Sequence, residues 1–224
     1  MKPDAPLSFS ILLASTVHDM KNSIGLLMHQ INQLPSQPDA TAGPDQLKFE
    51  AARLNNYLIQ LLTLYKFEQD QYPIQLDEYF LDEFVEDLLL MNQPILQPWG
   101  IHIEHQVPAD LCWTFDRQLL VGVLSSIFTN VVRYARSRVL IELILDEGRL
   151  RIRIEDDGAG YPDNLLGELS ARPMAVDFVS GSTGLGLYFA VQVAALHQRD
   201  GQCGRVLLSN GGRLGGGCFE LTLP

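Results

Sequence analysis

The 224-residue chain is poor in three things, and each shortage narrows its chemistry. It has three cysteines, Cys112, Cys203 and Cys218, with no CxxC pair and no histidine at metal-ligand spacing. Small buried hydrophobes in a reducing compartment fit that scatter better than a zinc or redox site. It has no long apolar run. Leu88 to Met91 and Val139 to Leu145, the latter broken by Glu142, fall far short of the roughly 20 residues that span a bilayer. The start, Met1-Lys2-Pro3-Asp4, lacks the charged-then-apolar layout of a signal peptide, so a cytoplasmic chain without a membrane segment is expected. It is also short of positive charge: 16 basic against 27 acidic residues give a net charge of −11. Nucleic acid and anionic membrane surfaces need a basic face and are poor partners for such a chain. A local phosphate site is not excluded by that balance.

What is present is an ordinary globular composition, with 46% hydrophobic and 19% charged residues, enough for one large domain or two small ones. The first segment reads as two long helices. Leu13, Val17, Met20, Ile24, Leu27, Ile31 and Leu34 recur at alternating spacings of four and three, and Pro35 to Pro38 ends the run. Leu47, Ala51, Leu54, Leu58, Leu61 and Tyr65 repeat the pattern, which closes before Tyr72-Pro73. Two antiparallel helices cannot bury both seams and the extra apolar positions Leu12, Met28 and Leu62, so a homodimer through a four-helix bundle is expected.

The character changes at Pro73. Glu78 to Met91 reads as a helix, Gln93 to Trp99 as a break, Ile101 to Glu104 as a strand and Arg117 to Arg136 as a helix. Arg138 to Asp146 and Arg149 to Glu155 alternate and meet at Glu147-Gly148, a hairpin signal. Arg205 to Ser209 and Cys218 to Leu223 read as a second strand pair. The expected fold class is α+β: a helical hairpin over residues 1–72, then an α/β sandwich over 73–224 with a mixed, mainly antiparallel sheet.

The chemistry gathers in the second half. Asp156-Asp157-Gly158-Ala159-Gly160 follows a strand, and Gly181-Ser182-Thr183-Gly184-Leu185-Gly186-Leu187 opens an apolar helix that runs to about His197. Glycines before a helix let backbone N–H groups approach a phosphate, and the helix dipole favours the anion. On the helix from Arg117, Ser126, Asn130, Arg133 and Tyr134 are spaced to share one polar face. Asn130 is a reasonable oxygen ligand for Mg²⁺, and Arg133 is placed to neutralise phosphate charge.

These segments resemble the histidine kinases of two-component signalling, within the gyrase, Hsp90, histidine kinase and MutL superfamily of ATPases. The resemblance covers nearly the whole chain, in the family's order. His18-Asp19-Met20-Lys21-Asn22 is similar to the H box, Asp116 through Ala135 to the N box, Asp156 to Gly160 to the first glycine box, and Gly181 to Leu187 to the second. Gly215 to Phe219 resembles the closing strand. The resemblance implies a dimerisation and phosphotransfer domain in residues 1–72 and a catalytic ATP-binding domain in 73–224. It implies His18 as phosphoacceptor and Asp19 as the base that polarises the imidazole. Asn22, one turn on, would orient a water against the phosphorylated aspartate of a response regulator. It further implies Asn130 as the Mg²⁺ ligand, Arg133 and Tyr134 as nucleotide contacts, and Asp156 as acceptor for the adenine amino group. Gly158, Gly160, Thr183, Gly184, Leu185 and Gly186 would shape the ATP pocket and its lid. The implied partners are a response regulator receiver domain, a second copy of the chain, and a separate sensor if the kinase stands alone.

The chain departs from the family pattern at four positions: Ser23 stands where proline is usual, Ser126 for the first N-box asparagine, Arg133 for lysine and Asp157 for asparagine. The lid, Tyr161 to Thr183, is short, with Phe178 in place of a full phenylalanine box. Three other readings follow from these departures: a phosphotransferase or regulator phosphatase with weak or no ATP binding, a non-catalytic dimeric scaffold, and another member of the same ATPase superfamily such as an anti-sigma-factor kinase, against which the H-box helix and the heptads argue. Histidine chemistry itself fits the first reading, because a neutral imidazole nitrogen is a competent nucleophile near neutral pH.

Overall fold

Rows of apolar side chains, aligned across strands far apart in sequence, hold the larger part of the structure together. The computed structural model describes residues 16, 19–20, 22–27, 29, 42–169 and 184–224. In chain order its elements are helix α1 (Ala42–Glu68), strand β1 (Asp77–Phe80), helix α2 (Leu81–Leu96), strands β2 (His102–Gln106) and β3 (Cys112–Phe115), and helix α3 (Arg117–Tyr134). Strands β4 (Arg138–Asp146), β5 (Arg149–Asp156) and β6 (Gly167–Glu168) follow, then helix α4 (Leu185–Leu196). The chain closes with β7 (Gln198–Arg199), β8 (Gln202–Cys203), β9 (Arg205–Asn210) and β10 (Gly217–Leu223). One unit comprises Pro73–Ala171 and Phe189–Pro224, the other Met1–Tyr72 and Arg172–Tyr188.

In the first unit six strands form a sheet in the order β2-β4-β5-β10-β9-β6. Only β2 with β4 is parallel; the other pairs are antiparallel, so the mixed, mainly antiparallel sheet of the expected α+β fold is present. Register explains its core. Ile141, Ile154, Phe219 and Leu208 form one cross-strand row, and Leu143, Ile152, Leu221 and Val206 the next. All eight are buried, each worth about 1.5–3 kcal/mol of transfer free energy. Period-2 alternation sends Glu142, Arg153 and Glu220 to the opposite face in a row of their own. There Arg153 sits 3.6 Å from both Glu142 and Glu220, and 2.7 Å from Glu155. Helices α2, α3 and the Phe189–Leu196 part of α4 supply the rest of the core, including Phe84, Leu88, Leu120, Val123, Ile127, Phe189 and Val193.

Three expectations are corrected. The helix expected from Glu78 begins at Leu81, because Asp77–Phe80 pairs with Cys112–Phe115 as a small two-stranded sheet. The rings of Tyr79 and Phe84 lie 5.1 and 4.9 Å from that of Phe115, a non-local packing that overrides local helix propensity. At its other end the same helix runs through Pro94 to Leu96 instead of breaking at Gln93. Proline forfeits one backbone hydrogen bond, a small loss this close to the end. Ser126 is also not on the polar face of α3: it is 4% exposed, among Val123, Ile127 and Thr129.

One buried polar junction ties α3 to α4. The Asp116 carboxylate caps α3, accepting from the Leu119 N–H at 3.1 Å, and also accepts from the Gln75 N–H at 3.0 Å. The Asp116 N–H donates to Nε2 of His197 at 3.0 Å, while Nδ1 of His197 lies 2.7 Å from the Val193 carbonyl. That pairing requires the neutral tautomer with its proton on Nδ1. Burial lowers the His197 pKa from its usual value; the Val193 carbonyl and the Asp116 carboxylate oppose the shift without reversing it. The unfolded chain takes up a proton at about pH 6.5, so this contribution is complete above that pH and is lost as pH falls through the lower folded value. We expect the melting temperature to fall between about pH 7.5 and 5, with a flatter profile in His197→Gln, whose amide can make both bonds without titrating. Parallel thermal profiles for the two proteins would refute this.

In the second unit α1 contacts the described residues before it through Arg53, which donates to the Ser23 hydroxyl and pairs with Glu50 at 3.1 Å. Among the described residues of this hairpin, Thr16, Asp19, Ser23, Phe49, Glu50, Arg53, Gln60 and Leu64 are buried, six of them polar. The apolar heptad positions Leu58 and Tyr65, with Leu62 beside them, are 46%, 45% and 60% exposed, and Ile24 is exposed as well. The seam positions Leu13, Val17, Ile31 and Leu34 lie outside the described residues.

Candidate functional site

The site is built where the last residue of β5 meets the last turn of α3. Alternation along β5 turns Leu150, Ile152 and Ile154 into the core and brings Asp156 to the strand's end. Oδ1 of Asp156 accepts from the Gly158 N–H at 2.7 Å and from the Gly217 N–H at 3.2 Å, and its backbone carbonyl accepts from Gly216 at 3.0 Å. Oδ2 takes no hydrogen bond among the described residues. Asp156 is thus fixed by three glycines and keeps one carboxylate oxygen as an acceptor.

Two of those glycines are required by space. A Cβ on Gly158 would lie 2.2 Å from the Tyr134 carbonyl oxygen, and one on Gly216 would lie 2.4 Å from the Asp156 carbonyl and 2.5 Å from the Gly158 nitrogen. The first glycine box is therefore pressed against the end of the N-box helix, which brings Asp156 and Tyr134 into one neighbourhood.

Asp157, the next residue, faces the other way. Burial raises its pKa, but the backbone N–H groups of Ser137, Arg138 and Arg136 and the Ser137 hydroxyl donate to it, and together they hold the carboxyl well below the usual range. It staples the turn between α3 and β4 and is wholly occupied in doing so. Adjacent carboxylates thus have opposite fates: Asp157 is structural, while Asp156 retains an acceptor.

Three site residues stand along the last turns of α3. Asn130 is half-buried, and its carboxamide makes no hydrogen bond among the described residues. Arg133 and Tyr134 are exposed, with the guanidinium 5.3 Å from the Tyr134 ring centroid. Among the described residues no group of three or more His, Cys, Asp or Glu side chains comes together to hold a metal ion. A Mg²⁺ bound here would take Asn130 and oxygens of the nucleotide, consistent with its preference for hard donors and retained water.

The other expected residues lie in the second unit. Gly184 has φ +64° and its carbonyl accepts from the Tyr188 N–H at 2.8 Å, starting α4; Leu185 is buried and Gly186 half-buried. Thr183 and His18 lie outside the described residues, as does the lid from 170 onward. Asp19 is 7% exposed, on the inner side of the hairpin, and Asn22 is exposed.

Tyr161 and Asn210 lie beside Asp156; the sequence places Tyr161 only at the start of the lid and does not mark Asn210. The Tyr161 N–H donates to Oδ1 of Asn210 at 2.6 Å, and Nδ2 of Asn210 donates to the Tyr161 carbonyl at 2.8 Å. Burial, with the Asp156 carboxylate nearby, pushes the Tyr161 phenol up, so it stays protonated. No local signal marks a pairing between residues 49 positions apart.

This geometry has relatives. Residues 115–224 match the family of histidine kinase-, DNA gyrase B-, and HSP90-like ATPases. The chain is 27% identical over 229 residues to the sensor protein SphS of Synechococcus elongatus, covering 95% of this chain and 54% of that one. It is 24% identical over 217 residues to the sensor protein RstB of Escherichia coli, covering 95% and 48%. The chain thus spans about half the length of these relatives. Among solved structures, the Acinetobacter baumannii histidine kinase AdeS superposes with a TM-score of 0.64 at 19% identity, over 92% of this chain and 96% of that one. The histidine kinase ThkA, in complex with the response regulator TrrA, gives 0.62 at 16% identity over 95% and 60%. The segment 115–224 is an ATPase domain of that family. More narrowly, the chain carries the catalytic domain of a histidine kinase.

The Gly158 contact makes a direct prediction. Gly158→Ala must displace either the strand end or the last turn of α3, at a cost of about 3 kcal/mol. We expect a lower melting temperature and loss of binding of a fluorescent ATP analogue. Unchanged binding would mean that this contact does not shape the site.

Proposed function

We propose that this chain is the core of a histidine protein kinase: residues 73–224 bind ATP, and the hairpin of residues 1–72 receives the γ-phosphoryl group on His18. The phosphoryl group would then pass to an aspartate of a response regulator receiver domain. The observation that carries this reading is Asp156, held by three glycine contacts at the end of β5 with one oxygen left as acceptor, in a segment that matches the ATPase family.

The site's residues fit ATP and Mg²⁺. When bound, ATP supplies the phosphoryl group and Mg²⁺ neutralises its charge. Oδ2 of Asp156 would accept a hydrogen bond from the adenine amino group. Asn130 would hold the metal, and Arg133 and Tyr134 would contact the nucleotide. Gly158, Gly160, Thr183, Gly184, Leu185 and Gly186 would shape the pocket around it. In the hairpin, Asp19 would stabilise positive charge on the His18 ring, and the exposed Asn22 would orient water for regulator dephosphorylation. The SphS and RstB relatives are sensor proteins, and the ThkA neighbour was solved with a response regulator; both support a place in two-component signalling. Among the described residues no helix is long and apolar enough to cross a membrane. The need for ATP and a regulator favours the cytoplasm.

Incubation with γ-labelled ATP should label the wild type and leave His18→Gln unlabelled; label that survives the substitution would overturn the assignment. A chain that binds no Mg²⁺–ATP by calorimetry would favour the phosphotransferase or scaffold reading instead.

The exposed seam supports a homodimer through the hairpin. Among the described residues, Ile24, Leu58 and Leu62 are exposed, and a second hairpin would cover them in a four-helix bundle. We expect a dimer in analytical ultracentrifugation and a monomer for the double variant Leu58→Glu, Leu62→Glu. A monomeric wild type would refute this.

A further inference from the structure

We infer that Arg213 is a positioning residue for the Asp156 site: it anchors the glycine-rich loop between β9 and β10, which supplies backbone donors that hold Asp156 in place. This rests on the ATP-binding reading above.

Between Asn210 and Gly217 the chain is mostly glycine: Gly211, Gly212, Gly215 and Gly216 flank Arg213 and Leu214. Gly211, Gly212 and Gly215 have φ of +100°, +68° and +84°. Glycines lose more conformational freedom on folding than other residues, so this loop needs attachments to keep one shape. Glycine-to-glycine bonds close it, from the Gly211 N–H to the Gly216 carbonyl at 2.9 Å and from the Gly215 N–H to the Gly211 carbonyl at 3.0 Å. They do not fix where its tip lies. At the loop's end Gly216 donates to the Asp156 carbonyl at 3.0 Å, and Gly217 donates to Oδ1 of Asp156 at 3.2 Å. The tip is attached through Arg213. Its N–H donates to Oε2 of Glu155 at 2.7 Å, and its guanidinium lies 2.9 Å from Oε1 of Glu142 and donates to Oε1 of Gln106 at 3.0 Å. Gly212 packs on the same Glu155 carboxylate, since a Cβ there would lie 2.5 Å from Oε2.

These contacts close into a ring of charges on the face of the sheet opposite the apolar rows. Arg213 meets Glu142, and Glu142 meets Arg153 at 3.6 Å. Arg153 meets Oε1 of Glu155 at 2.7 Å, and Oε2 of Glu155 returns to the Arg213 N–H. Glu155 and Glu142 are 1% and 5% exposed. Carboxylates buried to that degree must keep their partners, because removing one leaves a desolvated charge short of compensation. Arg213 is the nearer of the two arginines on Glu142, so its place over the sheet is strongly specified. Glu155 and Asp156 are consecutive, and the loop grips both: its tip holds the first and its end the second. Without Arg213 the tip loses its side-chain anchors, and the two N–H groups on Asp156 lose their fixed aim.

Amide hydrogen exchange read by NMR, with calorimetry, tests the inference on the full chain. The Arg213 side chain is 59% exposed, so replacing it spares the core. Arg213→Ala should speed exchange at Gly216 and Gly217 about tenfold and leave the Phe219 and Leu221 amides of β10 unchanged. It should also weaken Mg²⁺–ATP about tenfold, the worth of one or two net hydrogen bonds. Purine riboside triphosphate lacks the 6-amino group that Asp156 would accept from, and should lose less. Arg213→Lys, which keeps a positive charge within reach of Glu142, should restore most of both effects. Unchanged exchange at Gly216 and Gly217, or exchange rising equally along β10, would overturn the inference. Unchanged ATP affinity with a loosened loop, or equal losses for both nucleotides, would do so as well. A wild type that binds neither nucleotide would instead overturn the ATP-binding reading, and the exchange rates alone would then decide whether Arg213 anchors the loop.

Discussion

The contact between the missing side chain of Gly158 and the carbonyl of Tyr134 is the constraint on which the rest of the site depends. The end of β5 and the end of α3 approach so closely that not even a methyl group fits between them. That approach brings a strand-end carboxylate beside the helix that carries Asn130, Arg133 and Tyr134. The same close packing recurs on the far side, where Gly216 meets the backbone of Asp156 and Gly158. Asp156 is therefore clamped from two stretches of chain some sixty residues apart. Its position is fixed by backbone donors, which cost little conformational entropy to hold in place compared with long side chains.

Electrostatics then divides labour between neighbours. Asp157 spends its charge on four donors in the 136–138 turn, a structural role that an asparagine, with a single acceptor oxygen, could fill only in part. Asp156 spends one oxygen on backbone and keeps the other. Asp116 makes the same kind of investment as Asp157 at the opposite end of α3, where it caps the helix and receives the entering chain at Gln75. The N-box helix is thus pinned at both ends by buried or half-buried carboxylates, so the polar residues on its last turns are presented on a rigid support.

Much of this was legible in the sequence, and the part that was not has a common physical character. Strict alternation in Arg149 to Glu155 and the Glu147-Gly148 turn predicted β4 and β5 because period-2 patterning and turn chemistry are local signals. The glycine clusters marked Asp156 and Gly158 for the same reason. Glu78 to Phe80 reads locally as helix, because only the partner Cys112–Phe115, over thirty residues away, makes Asp77–Phe80 a strand. Ser126 was assigned to a polar face by counting turns, yet the helix buries it among apolar neighbours. Asn210 and Tyr161 carry no motif, and their hydrogen bonds exist only once β9 and β10 have paired. Residues whose role depends on long-range register were invisible, and those that obey a local period were not.

Among the described residues of the hairpin, several charged and polar side chains are buried while several apolar ones are exposed. Within one chain Arg53, Glu50, Ser23 and Asp19 are inside while Leu58, Leu62 and Ile24 are outside. Burying an ion pair contributes little net stability, and often less than an apolar pair would. A buried polar contact between two helices can fix their register, because a slipped alignment breaks it; Glu50 and Arg53 both lie in α1, so here that contact is the Arg53–Ser23 bond. Arg53 reaching Ser23 fits that use: it ties α1 to the helical segment that carries Asp19 and Asn22, at the position where proline is usual in the family. Apolar attraction is non-directional and tolerates sliding. In the dimeric reading, then, the buried polar contact specifies alignment within each hairpin and the exposed apolar positions drive two hairpins together.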